Sequence, residues 1–245
     1  MEDDTMREPG PRADKEYSVH GFSEVRVSSA IEFEITQSEQ YSVKATGHEK
    51  LLEHLKVEVS GQTLTLGFEH DPMAWIGRLR PRGEVKAVVT MPELKRLVVS
   101  GASKGTARGF KSSQDLDLEL SGASQAEIDV EAGRATVTAS GAGRVTGELK
   151  AQDTRLTLSG ASRCQLLGAG GDTHLDSSGA SQADLSQFQI RNADVHISGA
   201  GRAKINMDGT LNVHLSGASS LESKGNIVLG TKDITGASSM HDLQE

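Results

Sequence analysis

Leu118-Glu119-Leu120-Ser121-Gly122-Ala123-Ser124-Gln125-Ala126 is one copy of a pattern that recurs through residues 93–245. The Ser-Gly-Ala-Ser core, or a close variant, occurs eight times, and its glycines are Gly101, Gly122, Gly141, Gly160, Gly179, Gly199, Gly217 and Gly236. Successive glycines are 21, 19, 19, 19, 20, 18 and 19 residues apart. So steady a period indicates one supersecondary unit stacked on itself.

Within each repeat, apolar and polar residues alternate on both sides of the glycine, which is typical of β-strands. Aliphatic residues dominate the positions four and two before the glycine and small or aliphatic ones the position four after it, and an Ala always follows the glycine. We predict that all four positions point inward and that the Ala is small because the corner is tight. The fold predicted is all-β, a parallel β-helix (β-solenoid) with rungs of about 19 residues.

The corner residues have separate predicted roles. The glycine is expected to adopt a backbone conformation that a Cβ would disfavour. The serines are expected to hydrogen-bond backbone groups at the bend or a serine of the next rung.

Three segments follow from the pattern. Residues 1–16 are polar and charged without apolar periodicity, which predicts a disordered tail. Residues 17–92 predict an N-terminal β segment with a short helix at 48–55, a hairpin around 60–62 and a long loop at 70–83 that contains Trp75. Residues 93–245 form the Ser-Gly-Ala solenoid, and the N-terminal segment is expected to cap its open edge.

Composition limits the function. The chain has 245 residues, 3% aromatic residues and a formal net charge of −8, which argues against a nucleic-acid-binding surface. The apolar stretches are too short to span a bilayer, so no membrane span is expected. Met1 to Glu16 lack the apolar core of a signal peptide, which is compatible with a cytosolic protein or with an export segment that this chain does not include.

A row of polar residues three positions after the glycine is the first candidate site. It contains Lys104, Gln125, Arg144, Arg163, Gln182 and Arg202. Guanidinium groups suit acidic sugars, so Arg144, Arg163, Gln182 and Arg202 are the predicted ligand-binding residues and a polysaccharide or a cell-surface protein the predicted partner. The alternative is a soluble charged face that prevents sheets from stacking.

A histidine pair is the candidate metal site. His196 and His214 occupy the same position on adjacent rungs, with Asp176 one rung below and Asp233 one rung above. Two imidazoles and two carboxylates could hold Zn²⁺, whereas the alternative is an exposed polar ladder, and no cofactor is otherwise expected. His174 falls two positions outside this column.

Two further residues have a structural and a functional interpretation. Trp75 is either a binding tip or the anchor of a loop folded over the solenoid end. Cys164, the single cysteine, lies in an inward column and is expected to be a core thiol rather than a nucleophile.

The N-terminal segment also carries a family resemblance. The run from His20 to Gln37, the stretch Leu51 to Val59, and Met91-Pro92-Glu93-Leu94 leading into Ser-Gly-Ala repeats resemble the head GIN domain family of auto-transporter adhesins. The family's Gly-Ile-Asn triplet is replaced here by Ala30-Ile31-Glu32, in which Ile31 keeps the inward apolar position. The resemblance covers roughly residues 17–245.

The resemblance implies a β-solenoid in an extracytoplasmic setting, in the cell envelope or secreted, and it implies no catalytic residues. We therefore expect a non-enzymatic binding protein or adhesin. One alternative is a structural scaffold that polymerises end to end. The other is a polysaccharide lyase or hydrolase, although carboxylate spacing nominates no catalytic pair.

Overall fold

A computed structural model of the protein describes residues 11–68 and 85–242. The N-terminal part contains seven strands and one helix: β1 (Arg12–Tyr17), β2 (Glu24–Val27), β3 (Glu32–Gln37), β4 (Ser42–His48), α1 (Glu49–Glu53), β5 (Leu55–Ser60), β6 (Thr63–Phe68) and β7 (Lys86–Met91). The predicted short helix and the hairpin, which is β5 and β6, are both present.

The repeat region is all strand. Its elements are β8 (Arg96–Val99), β9 (Lys104–Lys111), β10 (Leu116–Leu120), β11 (Gln125–Ala139), β12 (Arg144–Leu158), β13 (Arg163–Ala169), β14 (Asp172–Ser177), β15 (Gln182–Ile190), β16 (Asn192–Ile197), β17 (Arg202–Met207), β18 (Gly209–Leu215), β19 (Ser220–Lys224), β20 (Ile227–Ile234) and β21 (Ser239–Asp242).

Equivalent positions of successive repeats stack in register. Leu118 pairs in parallel with Leu97 of one neighbouring rung and with Val137 of the other. The strands that enter the Ser-Gly-Ala corner form one stack, which we call the entry sheet, and those that leave it form the exit sheet. The fold is therefore the predicted parallel β-solenoid.

The core lies between the two sheets. The aliphatic positions four and two before the glycine are buried, as Leu156 (0% exposed) and Leu158 (1%) illustrate. Phe110 and Phe188, towards the second turn, are also buried, at 2% and 0% exposure. Because each inward position stacks on its equivalents, the core is continuous along the solenoid.

The corner glycines adopt the left-handed conformation that the sequence predicts. Gly160 has φ of +71°, and a Cβ added there would lie 2.7 Å from the carbonyl oxygen of Gly141. The backbone ladder runs through the bend, since the N–H of Ala161 donates to that same oxygen at 2.7 Å. Close stacking of backbone on backbone thus requires glycine at this position.

The prediction for the alanines was wrong. Each Ala after a corner glycine, Ala123 and Ala161 for example, is exposed at the apex of the bend. The left-handed glycine turns the chain, so the next inward residue is two positions after the glycine, where Ser124 and Ser162 are 0% exposed. Core packing therefore does not explain the Ala.

Some inward serines make the predicted corner bonds, whereas the buried hydroxyls of Ser103 and Ser162 have no hydrogen-bond partner among the residues described. The hydroxyl of Ser124 donates to the carbonyl oxygens of Ser121 and Val99 at 2.9 and 3.1 Å. The hydroxyls of Ser219 and Ser238 lie 3.1 Å apart on neighbouring rungs. The bonds compensate for placing a polar group in an apolar corner.

The N-terminal segment caps one end of the solenoid and also contributes to it. β2 and β3 pair in parallel with β8 and β9, and β6 and β7 pair in parallel with the other edges of β2 and β3. β4 and β5 then add antiparallel to β7 and β6. The segment therefore supplies two more rungs before its antiparallel strands close the stack.

Residues 12–16 are a correction to the predicted disordered tail. They belong to β1, which pairs antiparallel with β4 from Arg12 to Tyr17. The pairing is supported by the ion pair between Lys44 Nζ and Asp14 Oδ2 at 2.7 Å, so polar edge residues concealed the strand. The predicted loop at 70–83, and Trp75 with it, lies outside the described residues.

The C-terminal rung, made by β20 and β21, pairs on one side only among the strands described. Its inward apolar residues are correspondingly open, as Leu229 shows: it is 46% exposed, although it stands in register with the buried Leu211. In the part of the chain that the structure describes, no helix is long and apolar enough to cross a membrane.

Candidate functional site

The first candidate site is the arginine row, defined as Arg144, Arg163, Gln182 and Arg202. Its members stand in direct register on β12, β13, β15 and β17, at the start of four consecutive exit-sheet strands. Every side chain of the row is exposed. Parallel stacking places neighbours about 4.8 Å apart, as the repeat predicted.

A shallow groove of about 300 Å³ runs along the row. The arginine row forms one wall, and Thr146, Gln165, Asp184 and Lys204 form the other. Of these, Asp184 accepts hydrogen bonds from Ser186 N and Oγ, and Lys204 Nζ pairs with Glu222 at 2.8 Å. The groove therefore presents polar groups in a linear, repeating order.

The arginines of the row differ from most cations of the protein. Among the residues described, eleven lysines and arginines lie within 3.7 Å of a carboxylate: Lys44, Lys56, Lys86, Lys95, Arg96, Lys104, Arg108, Lys150, Arg155, Arg191 and Lys204. Among the residues described, Arg144, Arg163 and Arg202 have no ion pair and no side-chain hydrogen bond. Three uncompensated guanidinium groups in one groove favour an anionic ligand in a protein whose net charge is −8.

The second candidate site, the histidine–aspartate ladder, lies on the entry sheet. It consists of His174, Asp176, Asp194, His196, His214 and Asp233, on β14, β16, β18 and β20. Asp176, His196, His214 and Asp233 stand in register across the four rungs, as predicted, and His174 stands in register with Asp194 in the adjacent outward column.

Short contacts connect the ladder. His174 Nε2 lies 2.8 Å from Asp176 Oδ2, and His174 Nδ1 lies 3.2 Å from Asp194 Oδ2. The other oxygen of Asp194 lies 3.0 Å from His196 Nε2. Across the next rung, the rings of His196 and His214 are 4.6 Å apart between centroids and tilted by 55°.

Asp194, His196 and His214 offer three ligand atoms within 4.8 Å of one another. The sequence analysis named both histidines but missed Asp194 and set His174 aside. Both missed residues lie two positions before the predicted column, and residues two apart on a strand share a face. That parity was the signal available in the sequence.

Cys164 is buried at 2% exposure, and burial raises the pKa of its thiol to about 12. A thiol held neutral in the core is a poor nucleophile, in agreement with the predicted structural role.

A general-acid role of the hydrolase kind is not favoured at Asp172, on the entry sheet. Arg191 Nε and Asn192 Nδ2 both donate to Asp172 Oδ1 at 2.9 Å and lower the pKa of its carboxyl group. A glycosidase general acid requires the opposite direction.

These features define a two-sheet β-solenoid whose candidate sites lie on outer ladders of side chains. The chain belongs to the family described as "Putative auto-transporter adhesin, head GIN domain", whose model matches residues 21–226. The resemblance seen in the sequence is thereby confirmed.

Solved structures share the fold. A "putative lipid binding protein" from Parabacteroides distasonis superposes with a TM-score of 0.88 at 19% identity, over 96% of this chain and 97% of that one. A "putative adhesin" from the same species gives 0.79 at 17% identity, over 96% and 98%. One from Parabacteroides merdae gives 0.71 at 17%, over 96% and 97%. No curated protein matches the chain.

Proposed function

We propose that the protein is a non-enzymatic binding protein of the cell envelope or cell surface that recognises an acidic polysaccharide through the arginine row. The observation that carries the proposal is the set of three guanidinium groups without carboxylate partners, aligned in one groove. Family membership supports the extracytoplasmic location. Protease treatment of intact cells tests that location. If the protein lies on the cell surface, the protease digests it and the antibody signal for the protein disappears.

The geometry of the row fits a linear polyanion. A guanidinium group presents a planar fork of donors that matches a carboxylate or sulfate, and the rungs repeat this fork at a regular interval. Gln182 interrupts the positive charges with an amide that can bond to hydroxyl groups. A polymer whose acidic groups repeat along its length could therefore contact several rungs at once.

No aromatic side chain lines this groove. Without a ring for a sugar to stack on, binding energy comes mainly from charge-assisted hydrogen bonds. Such bonds contribute about 1.5–3 kcal/mol each. Because these groups are exposed, we expect the affinity to be modest and to fall as salt is added.

The first experiment compares acidic and neutral polymers. Wild-type protein is expected to bind alginate, a linear polyuronate, and not dextran, as measured by calorimetry at low ionic strength. Arg163→Gln should weaken alginate binding by about tenfold, since it removes one charge-assisted contact. Arg134→Gln, an exposed arginine outside the arginine row, is the matched control and should bind as the wild type does.

Three results would contradict the proposal: equal binding of alginate and dextran, an Arg163→Gln variant that binds alginate normally, or binding confined to anionic phosphatidylglycerol vesicles. The last result would favour a lipid headgroup as the ligand, and the P. distasonis structure with a TM-score of 0.88 is named a "putative lipid binding protein".

A second candidate function, assembly with another copy of the chain, is favoured by the C-terminal rung. Leu229, Ile234 and Met240 are partly or largely exposed although they stand in register with the buried Leu211, Leu215 and Leu221. They are core positions that no described rung covers. Burying them against the same rung of a second copy would remove apolar surface from water.

Within residues 11–68 and 85–242, the other end of the solenoid does not offer a matching surface. β1 exposes Arg12, Asp14, Lys15 and Glu16, and the outer edge strand β5 carries an ion pair between Lys56 and Glu58. Charged edge strands resist pairing with another sheet. Contact between two C-terminal rungs therefore gives a closed dimer, in contrast to the filaments that an end-to-end scaffold requires.

A further inference from the structure

We propose that the histidine–aspartate ladder binds a divalent transition-metal ion through Asp194, His196 and His214. This site lies on the entry sheet, and its argument is independent of the arginine row on the exit sheet. Two imidazole nitrogens and one carboxylate oxygen form a ligand set that suits zinc and related borderline ions.

The distances permit convergence without movement of the backbone. Around a tetrahedral zinc ion, neighbouring ligand atoms are separated by roughly 3.3 Å. Asp194 Oδ1 and His196 Nε2 are already 3.0 Å apart, and all three ligand atoms lie within 4.8 Å. The three side chains are half-buried or exposed. Small rotations about their side-chain bonds can therefore bring the three ligand atoms closer to one another.

The rest of the ladder holds the ligands in position. His174 lies against Asp194 Oδ2 at 3.2 Å and leaves Oδ1 directed at His196. Asp233 Oδ2 lies 3.8 Å from His214 Nδ1, which is beyond hydrogen-bond distance and places a second carboxylate beside this ligand. Outer carboxylates and imidazoles of this kind commonly fix the tautomer and orientation of metal ligands.

Charge also favours a cation here. Asp176, Asp194 and Asp233 provide three carboxylates within the ladder, and among the lysines and arginines described Arg155 pairs with one of them, its Nη1 lying 3.7 Å from Asp176. The ladder borders two shallow grooves of about 390 and 570 Å³. An ion bound by three side chains would therefore keep a coordination position open to water or to a donor on a bound partner.

Zinc titration of the full chain tests the proposal. Calorimetry near neutral pH should show one saturable Zn²⁺ site, and the imidazole NMR signals of His196 and His214 should shift on binding. His196→Gln should weaken binding by about 100-fold and His174→Gln, a positioning change, by about tenfold. His241→Gln, which alters an exposed histidine on β21 of the exit sheet, is the matched control and should leave the affinity unchanged.

The proposal is overturned if the wild-type chain takes up no zinc in large molar excess. It is also overturned if His196→Gln and His214→Gln bind zinc as the wild type does, since the ion would then lie elsewhere. Far-UV circular dichroism of each variant establishes that a loss of binding is not a loss of fold, which these exposed substitutions should preserve.

Discussion

At the scale of single residues, the corner shows which features of the repeat are required by backbone geometry. The glycine is needed because φ is positive and because the carbonyl of the preceding rung occupies the space of a Cβ, as Gly160 and Gly141 show. The rung made by β2 and β3 is an exception within the same chain, because its corner uses Ser29 and Ala30, at φ of 67° and 61°, in place of glycine. The family's Gly-Ile-Asn triplet has glycine where Ala30 stands, which is the residue that this conformation favours.

Gly160→Val is expected to destabilise the solenoid strongly. A β-branched side chain at positive φ is strained, and its Cβ would collide with the backbone of the adjacent rung. We expect a loss of about 2–4 kcal/mol in the free energy of unfolding, measured by urea denaturation.

Ala161→Val is the matched control because Ala161 is exposed at the apex of the same bend. Its effect should stay within about 0.5 kcal/mol. An unchanged urea midpoint for Gly160→Val would contradict the steric account of the corner. A large loss of stability for Ala161→Val would instead support the prediction from the sequence, in which the Ala points into a tight corner.

The register of the candidate site residues could be predicted where the repeat period alone was sufficient. The register of Arg144 with Arg163, and of His196 with His214, follows directly from counting to each glycine. Asp194 was missed because side-chain proximity between adjacent outward columns depends on rotamers, which a column alignment does not contain. Likewise, it becomes clear only from side-chain positions that Arg144, Arg163 and Arg202 have no carboxylate partner among the residues described.

At the scale of strands, chain order and stacking order differ at the N-terminal end. β2 and β3 lie between the rung made by β6 and β7 and the rung made by β8 and β9. The chain first completes the rung made by β2 and β3 and then continues through β4, α1 and β5. It next forms the rung made by β6 and β7, on the side of β2 and β3 that faces away from β8 and β9. Alternating apolar residues predict these strands, but they do not specify which neighbour each strand joins, since any edge can accept a parallel or antiparallel partner.

The exposed C-terminal rung leads to a prediction about oligomeric state. Wild-type protein is expected to form a concentration-dependent dimer in sedimentation velocity measurements. Leu229→Lys should shift it to monomer by placing a charge in the contact. Leu167→Lys is the control, because Leu167 is a 38% exposed leucine on β13, away from that end.

A wild-type protein that stays monomeric at all concentrations would contradict the second candidate function. Filaments visible by electron microscopy would contradict the closed dimer and favour the end-to-end scaffold. Dissociation by both leucine variants alike would show that the contact is not specific to β20 and β21.

At the scale of the whole molecule, the parallel stack turns a short sequence pattern into two extended faces. Each face repeats a side-chain type about every 4.8 Å, which no isolated strand or loop can do. The exit sheet carries the arginine row, and the entry sheet carries the histidine–aspartate ladder. The fold class could be predicted from the Ser-Gly-Ala period because each repeat forms one rung, and equivalent residues of successive rungs stack on one another. The ligand could not be predicted in this way, because the same fold can carry different outward-facing residues and these determine what is bound.

The most direct test of the central claim is to map bound alginate oligomers on the protein by backbone amide chemical shifts. The account predicts that the shifts cluster at the starts of β12, β13, β15 and β17, around Arg144, Arg163, Gln182 and Arg202, and that the entry sheet stays unchanged. Shifts confined to the entry sheet or to the solenoid ends, or no shifts at saturating oligomer, would contradict the assignment of the arginine row as the binding site.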